Sequence, residues 1–341
     1  MIGRLLCRTA GVLCGEIRYN YSYYLCEGFS FSTIMSAIGM EGERHMKNIT
    51  TRQFSVLADC GKIYQFMLDI YKKDWGNGVP APFLEYAFAS FASWMDISYS
   101  YKNRIWEDDG EIVAFCFYEN PRTDIYFSLK PGYEELATEM IAYADEHMPK
   151  KEEEIQFVLF EGQNALMKAV EQLGYRQVYE AVEMNLDFED VLDYPLPEGF
   201  HFVKSEDYDA AKISKCCWKG FDHEEGEGAW ENQYEEQNNY LIQVAPHATT
   251  ELGVVIADEQ EEYACYAGMW WTPENKLAYM EPLCTIPEYR NRGLASAALS
   301  EMYRKMKKLG ATHMTGGMNE FYKKIGFKPA VKWTFWRKVK D

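Results

Sequence analysis

The sequence predicts an α/β (α+β) chain made of two similar units. Two observations carry this reading. Stretches of strand alternation and of helical three-and-four spacing follow one another twice in a shared order: hairpin, strand, helix, strand, helix, a Gly-aromatic step, strand. Between the copies runs Asp190-Val191-Leu192-Asp193-Tyr194-Pro195-Leu196-Pro197-Glu198-Gly199, rich in proline and acid, which reads as a linker. A length of 341 residues suits two ordinary domains, and 47% hydrophobic content supports a core. The expected division is a first unit at 46–187, a linker at 188–199 and a second unit at 200–341.

Residues 1–45 differ from the rest, carrying three of the nine cysteines and no clear period. Met46-Lys47-Asn48-Ile49-Thr50 reads like a protein start, and codons for Glu41-Gly42-Glu43-Arg44 can spell a ribosome-binding sequence just before it. Two readings stand: a mis-called upstream extension, if the source is bacterial, or a genuine flexible tail. Peptides from 1–45 in mass spectra of the native protein would decide for the tail.

In the first unit, helical spacing covers 54–73 and 83–95. Residues 111–119 and 124–130 form a hairpin around Asn120-Pro121-Arg122-Thr123. An amphipathic helix spans 133–147, with Leu136, Met140, Ile141 and Ala144 on one side. A short buried strand at 155–160 precedes a helix at 165–173, which ends at Gly174-Tyr175, and a strand follows at 176–186.

In the second unit, an amphipathic helix at 208–217 precedes a hairpin of 252–258 with 263–271, and a strand at 277–285. Tyr289-Arg290-Asn291-Arg292-Gly293-Leu294-Ala295 then opens a helix. Leu294, Ala295, Ala298, Leu299, Met302 and Met306 make its apolar stripe, Lys305, Lys307 and Lys308 suit its C-terminal dipole, and Gly310 is the expected C-cap. An arginine- and glycine-rich turn before a helix builds an anion cradle. The first-turn N–H groups are unpaired, and Gly293 lets a ligand approach the backbone.

The net charge of −18 disfavours general nucleic-acid binding. Solubility is its simplest reading; attraction of cationic amines is a second. Nine cysteines without a Cys-x-x-Cys pair fit reduced thiols in a cytoplasmic protein. No His-Glu-x-x-His or Cys/His cluster implies a metal, and no apolar run is long enough to span a bilayer. The oligomeric state is not readable.

Arg290-x-x-Gly293-x-Ala295, with Tyr322-x-x-x-Gly326-Phe327 downstream and the hairpin upstream, resembles the GNAT superfamily of acyl-CoA-dependent N-acetyltransferases. The family's coenzyme motif reads Gln/Arg-x-x-Gly-x-Gly/Ala and its later motif Tyr-x-x-x-Gly-Phe. The resemblance implies that each unit is a GNAT-like, mixed, mostly antiparallel twisted sheet flanked by helices, and that acetyl-CoA is the co-substrate. The second unit keeps the motifs. The first is degenerate: Pro131-Gly132-Tyr133-Glu134-Glu135-Leu136 lacks the arginine and the Gly-x-Ala spacing, and its two glutamates repel phosphate. A structural or substrate-walling role is expected there.

Acetyl transfer to an amine needs a held coenzyme, a polarised carbonyl, a neutral amine and a protonated leaving thiolate. Holding falls to Arg290, Asn291, Arg292, Gly293, Leu294, Ala295 and Ser296. Pro282 belongs at a bulge or an edge, which frees the N–H of Leu283 or Cys284 as an oxyanion-type donor; Thr285 completes the strand edge expected along the pantetheine arm. Glu281, a carboxylate in an apolar strand, is the candidate general base, directly or through water, and partial burial would raise its pKa. Tyr322 is the candidate general acid, with a core aromatic as its alternative role. Where the family often carries Asn seven residues before this Tyr stands Thr315, and Asn319 is the nearer coenzyme contact. Trp218, Phe221 and Trp270 are the expected acceptor walls, Asp222, Glu224 or Glu225 could attract an amine, and His223 could bind substrate or relay a proton. Cys284 has no paired His in sequence, so direct transfer in a ternary complex is expected over a covalent intermediate. Two other functions fit the same residues: a non-catalytic acyl-CoA sensor, and an aminoacyl or longer-acyl transferase.

Overall fold

The computed structural model describes residues 47–89, 97–119, 123–230 and 245–338. The 1–45 extension, the 120–122 loop and the end of the helix expected to reach 95 lie outside them. Lys47–Asp341 group as one compact unit. The strands of the first half are β1 (Ile49–Gln53), β2 (Arg104–Asp108), β3 (Glu111–Glu119), β4 (Asp124–Leu129), β5 (Gln156–Phe160) and β6 (Tyr175–Asp187). Those of the second are β7 (Phe200–Phe202), β8 (Val254–Asp258), β9 (Tyr263–Thr272), β10 (Leu277–Thr285), β11 (His313–Thr315) and β12 (Lys328–Lys338). The helices are α1 (Val56–Asp69), α2 (Ala81–Ala89), α3 (Ala137–His147), α4 (Asn164–Gln172), α5 (Ala210–Gly220), α6 (His223–Glu227), α7 (Leu294–Leu309) and α8 (Glu320–Lys324).

All the strands join one 12-stranded sheet in the order β1-β2-β3-β4-β5-β12-β6-β11-β10-β9-β8-β7. The order is the same read from either end, each strand of one half answering the strand six places on in the other. The sheet is mixed and mostly antiparallel, its two parallel pairs being β4 with β5 and β10 with β11. Its last strands are exchanged. β12 pairs with β5 of the first half, from Trp333↔Phe160 to Trp336↔Phe157, and β6 pairs with β11 of the second, from His313↔Asp187 to Thr315↔Asn185. β6 and β12 meet each other antiparallel at the centre. No local sequence pattern distinguishes a strand that stays home from one that crosses, so the linear division of the two units missed this.

Helices cover both faces. α1 and α2 pack on the face carrying Trp270, Leu277, Tyr279 and Trp333. α5 lies against Val255, Tyr266 and Cys284 on that same face. α3 and α4 cover the opposite face of the first half, and α7 and α8 that of the second. Cover on both sides explains why β3 and β9 read as nearly continuous apolar runs.

α1 is shorter than its 54–73 pattern predicts. Its end is fixed by the turn that follows, where Asn77 Nδ2 donates to the carbonyl of Ile70 at 2.7 Å. That turn also fills the gap where β4 and β5 part. Leu129 N donates to the carbonyl of Asn77, and Gln163 Nε2 to that of Phe127. A Cβ on Gly78 would stand 2.5 Å from Ser128 Oγ, and one on Gly162 would stand 3.3 Å from Gly76 Cα, so the chain itself occupies this gap.

Candidate active site

In the second half the corresponding gap, between β10 and β11, is built differently. The strands pair only at Leu277↔His313 and Ala278↔Met314. Just past that point Met280 N donates to Thr315 Oγ1 at 2.8 Å, so the threonine that replaces the family's asparagine bridges the parting strands. β10 then slips register against β9 between Met280 and Leu283. Gly268 permits the bulge, since a Cβ there would lie 2.3 Å from the carbonyl oxygen of Glu281. Pro282 therefore sits at a bulge inside the sheet, which settles the choice between bulge and edge.

Beyond the bulge, Ile286 N donates to Ala264 in β9. By strand alternation the N–H of Cys284 also points to β9, while those of Leu283 and Thr285 point to the open side. Of the two oxyanion donors expected from sequence, only Leu283 has the required direction. The Cys284 thiol is buried, 3.9 Å from both Cys216 Sγ and Cys217 Sγ, in a packed cluster with Ile213 and Ile286.

A left-handed Asn291 (φ 61°) and Gly293 (φ 86°) turn the chain into α7. The first bond of the helix runs from Ala297 N to Gly293 O, so the amides of Leu294, Ala295 and Ser296 precede it. A Cβ on Gly293 would meet nothing nearer than Pro197 Cγ at 3.8 Å, and the mouth of the turn is open. Arg290, expected in the anion cradle, makes hydrogen bonds within the protein. Its Nη2 donates to Gly220 O and to Asp222 Oδ1, each at 2.8 Å, which ties the turn to the end of α5. Arg292 lies over the Tyr289 ring at 5.1 Å. Gly310 (φ 89°) caps α7 as expected.

On the α2 and α5 face, a cleft of about 430 Å³ joins the two halves. The first half supplies Phe83, Tyr86 and Glu119; the second supplies Phe221, His223, Tyr279 and Glu281. Burial pushes the Glu281 carboxyl up to about 7, against a hydrogen bond from Tyr86 that favours its ionised form. Burial likewise pushes Glu119 and Glu183 up to about 8, and the Glu281 charge adds to both. Trp218 stands back from the cleft, stacked on His223 at 4.8 Å, with its Nε1 donating to Gly228 O. Trp270 lines a narrower crevice beside Tyr86 and Glu281. Tyr279 was legible as a partner of Glu281, since two residues along a strand share a face. Glu119 was not, because its side chain arrives from the other unit.

Tyr322 belongs to the core on the α7 side, 5.3 Å from the Phe327 ring and 5.2 Å from Phe321. Gly316 and Gly317 make room for it, a Cβ on Gly317 falling 2.5 Å from its ring. Burial and the Glu281 and Glu183 charges raise its pKa far above the ordinary phenol, so it holds its proton. Asn319 is the N-cap of α8, its Oδ1 accepting from Phe321 N at 3.1 Å. Asn319→Ala is expected to cost about 1 kcal/mol in thermal unfolding while coenzyme affinity stays within about twofold. A tenfold loss of affinity would restore Asn319 to the coenzyme site.

Among the described residues no group of three or more His, Cys, Asp or Glu is arranged to hold a metal ion, and no helix is long and apolar enough to cross a membrane. Residues 210–327 match the family described as Acetyltransferase (GNAT) family. The second half carries a GNAT domain.

Solved structures extend the likeness of fold to nearly the whole chain. A tandem GNAT protein from the clavulanic acid biosynthesis pathway is 12% identical, with a TM-score of 0.55 over 86% of this chain and 99% of that one. A GCN5-related N-acetyltransferase from Sphaerobacter thermophilus is 15% identical, with a TM-score of 0.53 over 85% and 95%. A GNAT-family acetyltransferase from Colwellia psychrerythraea is 12% identical, with a TM-score of 0.54 over 84% and 99%. No curated protein matches the chain. In the second half the β10–β11 ladder thus ends at Ala278↔Met314 with only the Met280–Thr315 bond beyond it among the described residues, while the equivalent gap of the first half is closed by residues 76–78 and Gln163.

Proposed function

We propose that the protein is an acyl-CoA-dependent N-acetyltransferase that moves an acetyl group from acetyl-CoA to a primary amine by direct attack in a ternary complex. The observation that carries this reading is the position of Glu281. A carboxylate with a pKa near neutrality lines a cleft at the bulge, just past the point where β10 and β11 stop pairing. The open turn at Gly293 and the amides of Leu294, Ala295 and Ser296 fit a pyrophosphate. When bound, acetyl-CoA supplies an activated thioester.

The chain's own groups divide the remaining work. Glu281 takes a proton from the attacking amine, directly or through one water. The amine nitrogen forms its bond to the acetyl carbon as the carbon–sulfur bond breaks. Leu283 N–H is the donor aimed at the side where the carbonyl oxygen gains charge. Tyr322, which keeps its proton in the core on the α7 side, is the proposed donor to the departing thiolate and later recovers a proton from solvent. The products are the acetamide of the acceptor and free coenzyme A. Nine cysteines without a Cys-x-x-Cys pair support a cytoplasmic setting.

Titration of acetyl-CoA while the melting temperature is followed tests the coenzyme site. At a hundredfold excess over its dissociation constant the ligand should add about 2.7 kcal/mol, and Gly293→Glu should abolish the gain. The absence of any shift with acetyl-CoA would remove the transferase reading.

A further inference from the structure

The cleft at Glu281 has a second carboxylate, and it comes from the half whose strand gap is filled by residues 76–78 and Gln163. We infer that the acceptor is an α,ω-diamine, held with one nitrogen at Glu281 and the other, as an ammonium, at Glu119. This rests on the transferase reading above and names its substrate class.

The shape and chemistry of the cleft carry the inference. Two carboxylates stand in one cleft of about 430 Å³, with the rings of Phe83, Tyr86, Tyr279 and Phe221 along its walls. No lysine or arginine is among its described lining residues. Carboxylates with aromatic faces between them match ammonium groups joined by methylenes. The charges meet the carboxylates, the rings attract cations by their faces, and the apolar walls take the alkyl chain. Glu119 accepts a hydrogen bond from the Tyr126 hydroxyl at 3.1 Å, which fixes its direction and leaves further acceptor positions on the carboxylate. Burial of Glu119 without a cation is unfavourable, and the Glu281 charge adds to the cost. A bound ammonium offsets both effects.

The transfer remains balanced. The nitrogen at Glu281 arrives as an ammonium, loses one proton to Glu281 to become the attacking amine and a second as the amide forms, and gains the acetyl group. One of the two protons balances the one the leaving thiolate takes up and the other goes to solvent, while the far nitrogen keeps its charge throughout. The product is a monoacetylated diamine with one remaining cation.

Steady-state acetylation of putrescine and cadaverine, compared with butylamine and pentylamine, tests this in the full-length protein. We expect kcat/KM for each diamine to exceed that of the alkylamine of equal chain length by about 10- to 100-fold, as for one charge-assisted contact. Glu119→Gln should collapse that ratio through the KM of the diamine, and Glu119→Asp should restore part of it. The wild-type comparison stands even if the glutamine variant fails to fold. Alkylamines acetylated as well as diamines, or a diamine preference that survives Glu119→Gln, overturns this inference alone. If no amine is acetylated, this inference and the transferase reading fall together, and the acetyl-CoA titration then tells a binding protein from an inert one.

Discussion

Glu281→Gln is expected to lower kcat about 10²- to 10⁴-fold while the acetyl-CoA-induced rise in melting temperature survives. The carboxylate is needed only to take a proton, and the coenzyme cradle at Gly293 lies elsewhere in the chain. The pH profile gives a second, independent readout. With its carboxyl pushed up to about 7 by burial, Glu281 is protonated and inactive as a base below that pH. The wild-type rate should therefore rise with pH through about 7 and level off above it. The glutamine variant should lose that inflection along with its turnover. Tyr322→Phe should also lower kcat without weakening coenzyme binding, and should leave the inflection near neutrality in place. Loss of acetyl-CoA binding in Glu281→Gln would mean a structural role for the carboxylate, and an unchanged kcat would remove it from the mechanism.

The second large effect concerns stability. Glu183 is 6% exposed and held at about 8 by burial, against an ordinary carboxylate value of 4.5. The folded protein keeps a proton there that the unfolded chain releases. Stability from this group is thus full below about 4.5 and is lost as pH rises toward 8. Glu119 and Glu281 have the same sign, with folded values of about 8 and about 7. Glu183→Gln preserves the neutral form at every pH. We expect it to be nearly neutral at about pH 5 and to stabilise by roughly 2–4 kcal/mol at about pH 8, a figure reduced from the full shift to allow for water entry. Thermal melts at the two pH values measure this. Destabilisation at the higher pH would show that the charged form is the one the fold accommodates.

Much of the local structure was legible in the sequence. The run from Leu277 to Thr285, the helix after Gly293 and the strand from Glu111 to Glu119 follow from periodicity and from glycine punctuation, both of which are local properties. Pro282 marked the bulge because a proline lacks the ladder donor. The short strands at 49–53 and 104–108 went unread, since five residues give too few alternations to stand out. Side-chain commitments were hidden as well. The sequence does not show that Arg290 bonds to Asp222 and Gly220, nor that Asn319, the expected coenzyme contact, also caps a helix. The half of the cleft supplied by Phe83, Tyr86 and Glu119 depends on long-range packing that no spacing rule encodes.

The exchanged strands set an order of events during synthesis. β5 emerges from the ribosome early, yet one of its two neighbours in the finished sheet is β12, which is made after every other described strand. The first half must wait with an open edge while the whole second half is translated, and β6 waits beside it as a template for β11 and β12. Loss of β12 alone therefore damages the half of the protein that was made first.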